Sequence, residues 1–198
     1  MEQVSIETLR KDEVQEAAKV VARAMGPGPF NMAMCQGLEK SERLMETTHK
    51  VVFGRFPGKV LVAKKDYRIV GVMRMVEWPQ CQMSPRKILM VLPSTFRILG
   101  FGFIRPAKGM AVWGKHDPKE SHWHLNLLAV MPEMQGQGIG SQLLERFCAL
   151  VNEARTPAYL ETDRPENVSL YERFGWRVKE EATVLGVHCY FMWRQPKP

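Results

Sequence analysis

Apolar and polar positions along this chain repeat with two different periods, and the places where one period gives way to the other mark out its elements. From Asp12 to Met25 the apolar residues Val14, Ala17, Ala18, Val21 and Met25 recur at helical spacing, which predicts a first helix. Gly26 to Phe30 (GPGPF) interrupts it, and a second helical run is expected from about Met32 to Thr48. Lys59–Lys64 and Arg68–Trp78 then read as strands joined by a turn at Lys65–Tyr67. The segment from Ile88 to Ile104 is apolar but carries Pro93, Arg97 and two glycines. It therefore reads as a buried helical connection or a lid over a binding site rather than as a membrane span.

The second half is more regular. Trp123, Leu125, Leu127 and Val130 give a strand, with His122, His124 and Asn126 on the opposite face, and the strand ends before Pro132. Helical spacing resumes with Leu143, Phe147, Leu150, Val151 and Ala154 on one face. A strand is expected at Ala158–Glu161, and two more at Trp176–Glu181 and Val187–Trp193. This order predicts an α+β fold: a mixed, mostly antiparallel sheet with helices on both faces, in a single domain over residues 1–198.

Composition narrows the class only a little. A chain of 198 residues with 45% hydrophobic residues can bury a sizeable core. Met1–Lys11 is charged and lacks the apolar run of a secretory signal. Cys35, Cys81, Cys148 and Cys189 are scattered without metal-binding spacing, so the expectation is a cytoplasmic protein with no metal. The net charge of +7 is concentrated between Ser84 and Glu120, where seven cations face two carboxylates. Because no aromatic–basic interleaving or zinc knuckle accompanies the excess, it reads as a solvated surface and not as a nucleic-acid site.

The chemistry lies in Gly136, Gly138 and Gly140 at the start of the helix that follows Val130. Glycines there admit close approach to the main chain, and the unpaired N–H groups and helix dipole favour an anion, so the cluster reads as a phosphate cradle. No Lys-Ser or Lys-Thr follows Gly140, which excludes the phosphate loop of nucleotide hydrolases. A dinucleotide-binding motif competes, with Glu161 at about the right distance. Against it, the glycines begin several residues after the strand and Ser141 occupies the third glycine position.

Gln135-x-x-Gly138-x-Gly140, preceded by LLAVMP, resembles the acyl-CoA signature of the GNAT superfamily of N-acetyltransferases. A second block, ETDRPENVSLYERFGW, carries Asn167, Tyr171, Gly175 and Trp176 in that family's Asn-x-x-x-Tyr-x-x-x-Gly-aromatic pattern. With HDPKESHW and YLETD, residues 112–194 are similar to the branch that contains puromycin N-acetyltransferase. The resemblance implies two parallel strands, ending at Val130 and running from Ala158 to Glu161, that splay to admit acetyl-CoA. A bulge near Leu127 and Leu128 would free main-chain groups there.

On that resemblance, the cofactor lies against the backbone of Leu128, Ala129 and Val130. Its phosphates sit on Gln135, Gly136, Gln137, Gly138, Ile139, Gly140 and Ser141, with Asn167 and Tyr171 alongside. A backbone N–H near Val130 would steady the oxyanion formed by direct attack of an amine on the thioester. Tyr171 is the candidate acid, since a phenol with a pKa near ~10 stays protonated at neutral pH and can supply a departing thiolate. Glu161 and His124 are rival bases, with His116 a distant third and bulk water a further route. The implied acceptor is a small-molecule primary amine bound between Gly26–Phe30 and part of Ile88–Ile104, where Phe30, Phe96, Phe101 and Phe103 supply aromatic surface. Acetylation of a protein or peptide, and a non-catalytic acyl-CoA sensor, are the alternatives. A homodimer is compatible with either, and no membrane or nucleic-acid partner is expected.

Overall fold

The computed structural model describes residues 4–197. One seven-stranded sheet runs through it in the order β1-β2-β3-β4-β5-β7-β6. Its strands are β1 (Ser5–Thr8), β2 (Lys59–Lys65), β3 (Arg68–Glu77), β4 (Trp123–Val130), β5 (Ala158–Thr162), β6 (Arg177–Val184) and β7 (Val187–Arg194). All neighbours are antiparallel except β4 and β5. The expected α+β architecture is therefore what forms. The short β1, which pairs with β2, has no counterpart in the sequence expectation: Ser5–Thr8 (SIET) contains a single strongly apolar residue, so it shows no hydrophobic face.

Helices cover both sheet faces. On one side α1 (Val14–Met25) buries Ala17, Val20 and Val21 against Val62, Val72, Leu127 and Ala129. The second helical run divides into α2 (Pro29–Cys35) and α3 (Leu38–Arg55), because Gln36 turns left-handed at φ 56° and ends α2. On the other side α6 (Ile139–Glu153) buries Ile139, Leu143, Leu144, Phe147, Cys148 and Val151. Ala154, expected on that stripe, lies just past the helix end and is exposed. Gly71 on β3 makes the close seating of α6 possible. A Cβ there would come within 3.1 Å of Ile139 Cγ2 and 3.3 Å of Leu143 Cδ1. The remaining helix on this face is α7 (Pro165–Arg173), ended by Gly175 at φ 92°.

Two features of the central strands shape the rest. The β3–β4 register slips between Arg74 and Met75, so that Arg74 faces Leu127 and Met75 faces Leu125, leaving Asn126 as an extra residue. The bulge thus lies at Asn126, earlier than the Leu127–Leu128 expected. Its physical effect is to reverse the pleat. Leu125 packs with the α6 core, whereas Leu127, which simple alternation puts on the same face, packs with α1. Arg74, buried, holds the bulge by donating to Asn126 Oδ1 at 2.6 Å and to the Pro57 carbonyl at 2.6 Å.

The Ile88–Ile104 segment is not buried, which corrects one of the two sequence expectations for it. It belongs to α4 (Pro85–Leu99) and α5 (Ile104–His116), separated by Gly100 at φ 53° and a short turn, and no residue of α4 is buried. By length and composition alone, Pro85–His116 is apolar enough to cross a membrane. Here it is bent at Gly100 into an arch over the sheet, with Leu89 and Phe101 outermost.

Candidate active site

β4 and β5 pair only at Trp123–Ala158 and His124–Tyr159. Beyond those two positions the edge of β4 that faces β5 has no strand partner among the described residues, so the parallel strands part as the sequence resemblance implied. Leu128, Ala129 and Val130 lie on this open stretch, still paired with β3 on their other side. An unpaired strand edge with free main-chain donors and acceptors can bind the amides of an extended ligand. Gln135 lies at the mouth of the gap and donates to the Val130 carbonyl at 3.0 Å.

The glycine cradle follows directly. Gly136 and Gly138 are left-handed at φ 75° and 79°, and Gly138 is the N-cap of α6. No protein atom lies within 4 Å of the place a Cβ would take on either glycine. The cradle is therefore open above its backbone, with the first-turn N–H groups of Ile139, Gly140 and Ser141 unclaimed by the helix. These residues fit a pyrophosphate.

Tyr171 projects from α7 into the core of the same face, 5.9 Å from the Trp176 ring. Burial, reinforced by the Glu161 and Asp163 carboxylates, pushes its phenol well above the usual tyrosine value. It stays protonated, as a proton donor must. Asn167 lies one turn earlier on α7, half-buried.

Across the sheet lies a cavity of about 630 Å³ under the α4–α5 arch. Its roof is apolar, from Ile88, Val91 and Leu92 on α4 and from Phe103, Met110 and Trp113, while its floor is His124, Asn126, Tyr159 and Glu161. Gly26–Phe30 does not line it. Phe30 is buried and stacks behind Trp113 with ring centroids 4.1 Å apart, so it supports the wall from outside. Asp163 fixes that position by accepting from the Phe30 N–H at 2.6 Å. Phe96 and Phe101 also lie outside the lining, packed edge-on to one another on the arch.

The floor carries the rival bases in contact. His124 Nε2 lies 2.8 Å from Glu161 Oε2. Burial would depress the His124 pKa, but the Glu161 carboxylate and Cys81 outweigh it and raise it to about 10. The ring Nε2–H donates to Glu161, which leaves the carboxylate as the proton acceptor of the two. His116 is remote from this floor, stacked on Phe191 and 2.9 Å from Glu180.

A further group was not legible in the chain. Cys81, Asp117, His122 and His124 each bring one potential ligand atom within 4.8 Å of the others. Their spacing in sequence matches no metal motif, because the fold draws them from the β3–α4 loop, the end of α5 and the start of β4.

Residues 30–176 match the model of the acetyltransferase (GNAT) family. Solved structures share the fold over nearly the whole chain. The crystal structure of histone acetyltransferase HPA2 and related acetyltransferase from Corynebacterium glutamicum covers 100% of this chain and 98% of its own, with TM-score 0.70 and 20% identity. The PaiA N-acetyltransferase from Thermoplasma acidophilum, solved with coenzyme A, covers 98% and 99% at TM-score 0.59 and 12% identity. Arylalkylamine N-acetyltransferase 2 from Aedes aegypti covers 98% and 100% at TM-score 0.63 and 12% identity. At these identities the likeness is one of fold.

Proposed function

The chain belongs to the acetyltransferase (GNAT) family and is an acetyl-CoA-dependent N-acetyltransferase; on that premise we propose that its acceptor is the primary amine of a small, largely apolar molecule. The observation that carries this reading is the cavity under α4–α5: about 630 Å³, roofed by aliphatic and aromatic side chains over a polar floor that includes Glu161. That volume is within the range of small-molecule sites, and the α4–α5 arch roofs it over. The basic arch would also repel a lysine-rich tail. The arylalkylamine acetyltransferase among the similar folds, and the likeness of residues 112–194 to the puromycin acetyltransferase branch, point to the same substrate class.

In this reading, bound acetyl-CoA supplies the activated acetyl group. Gly136, Gly138, Ile139, Gly140 and Ser141 hold its phosphates through main-chain N–H groups, with Gln135, Gln137 and Asn167 at the rim. The open edge of Leu128–Val130 takes its arm, and a main-chain N–H near Val130 faces the developing oxyanion. We assign Glu161 the proton of the incoming ammonium, and His124 the role of orienting that carboxylate through their 2.8 Å contact. Tyr171 delivers a proton to the departing thiolate. The four unpaired cysteines are in keeping with a reducing cytoplasm.

The test is a panel of arylalkylamines, aminonucleosides, polyamines, amino acids and a lysine-rich peptide, each assayed with acetyl-CoA by thiol release. Turnover is expected to be highest for compact apolar amines. Efficient peptide acetylation with no small-amine turnover would overturn the proposal in favour of a protein acceptor, and CoA binding with no turnover of any amine would favour a sensor.

A further inference from the structure

The cluster beside the floor has a proton arrangement that points to something other than an acceptor amine. His122 is fully buried, and its Nδ1 lies 2.7 Å from the Glu120 carbonyl. A carbonyl only accepts, so Nδ1 carries the hydrogen and Nε2 keeps its lone pair. That Nε2 faces Cys81 Sγ and Asp117 Oδ1, each at 3.7 Å. His124 gives its Nε2–H to the Glu161 carboxylate and its Nδ1 is buried without a partner, so a metal there would displace any proton it carries. Asp117 Oδ1 is likewise buried and unpartnered. A thiol hydrogen bond from Cys81 to His122 would satisfy neither orphan, and orphaned buried polar atoms are costly.

We propose that Cys81, Asp117, His122 and His124 form a four-ligand site for a divalent transition metal of the zinc class, which ties both ends of the α4–α5 arch to β4. One thiolate, one carboxylate and two neutral imidazoles neutralise the metal's charge within a buried setting. Glu120 and Glu161 act as the outer acceptors that orient ligating histidines. With Zn–S near ~2.3 Å and Zn–N near ~2.0 Å, tetrahedral ligand–ligand edges are about 3.5 Å. The two 3.7 Å separations from His122 Nε2 need only a slight contraction, and the others, all within 4.8 Å, a larger one. Binding releases the Cys81 thiol proton, and any second proton on His124, to solvent. With four protein ligands the site is closed, which is the structural type. Cys81 precedes α4 and Asp117 caps α5, so the metal would pin the arch at its two feet.

The test uses the full chain without an affinity tag, dialysed against Zn²⁺ alone and then against metal-free buffer, with metal per chain counted by mass spectrometry. One equivalent is expected to remain. Cys81→Ser and His122→Ala should each lose it, whereas His188→Ala, which removes an exposed imidazole paired with Glu181, should keep it. The cobalt-loaded protein should show a thiolate-to-cobalt absorption that Cys81→Ser abolishes, which keeps the test decisive if His122→Ala fails to fold. Stripping the metal should speed proteolysis between Pro85 and His116. A wild-type chain that retains no metal, or retention undiminished by Cys81→Ser, would overturn the site; unchanged proteolysis would overturn the tie. None of these readings involves acetyl-CoA or turnover, so the site stands or falls apart from the proposed acceptor.

Discussion

Replacing Gly138 with alanine separates what the backbone demands from what the ligand demands. Gly138 has φ 79°, and no protein atom lies within 4 Å of the position a Cβ would occupy. Steric clash with the protein therefore contributes nothing, and the folded state loses only the left-handed penalty for an L-residue, about 1–2 kcal/mol. For a chain of this size that lowers Tm by roughly 2–8 °C. The same open space is where the pyrophosphate would rest, so the methyl should force it away from at least one main-chain N–H. A hydrogen bond to a charged group is worth about 1.5–3 kcal/mol, equivalent to a loss of about 10- to 150-fold in CoA affinity. Gly186 in the β6–β7 turn is the control: its φ is 83° and its Cβ position is also clear. Gly186→Ala should therefore show a comparable fall in Tm with CoA affinity unchanged. Thermal denaturation and calorimetric titration of CoA on both variants supply the two numbers. If Gly138→Ala binds CoA like the wild type, or Gly186→Ala weakens it equally, the cradle assignment fails.

Three further outcomes are expected. Tyr171→Phe should lower kcat by roughly 10²-fold or more with CoA affinity intact, since the lost hydroxyl acts as the thiolate departs; unchanged single-turnover rates would return it to a packing role. Glu161→Gln should lower kcat/KM by about 10²-fold or more. Unchanged single-turnover rates at saturating amine would exclude Glu161 as the proton acceptor. Trp113→Ala removes the wall that Phe30 braces and should raise the acceptor KM about tenfold, a loss of about 1.4 kcal/mol, while leaving CoA affinity unchanged; weakened CoA binding instead would place the cavity on the cofactor side.

What the sequence determined by itself is whatever depends on neighbours a few residues away. Helical spacing located α1 and α6, apolar strand-type runs on either side of a turn located β2 and β3, and alternation located β4, because all three are properties of the local chain. The left-handed glycines of the cradle, and the Asn167-to-Tyr171 turn on α7, are local demands of the same kind. Only the tertiary structure decided features in which distant segments compete. The bulge at Asn126 reverses the faces of Leu127 and Ala129, and it is held by Arg74, 52 residues earlier in the chain. The Ile88–Ile104 segment, apolar enough in sequence to be taken as buried, leaves α4 without a buried residue because it roofs a cavity, while Val112 and Trp113 of α5 pack against the core. Phe30 moved from the pocket to its support once Trp113 came to lie over it. The contact of His124 with Glu161 and the gathering of Cys81, Asp117 and His122 arise where β4 and β5 run side by side and the arch closes over them. No linear spacing encodes that geometry, because each ligand is placed by the packing of its own element.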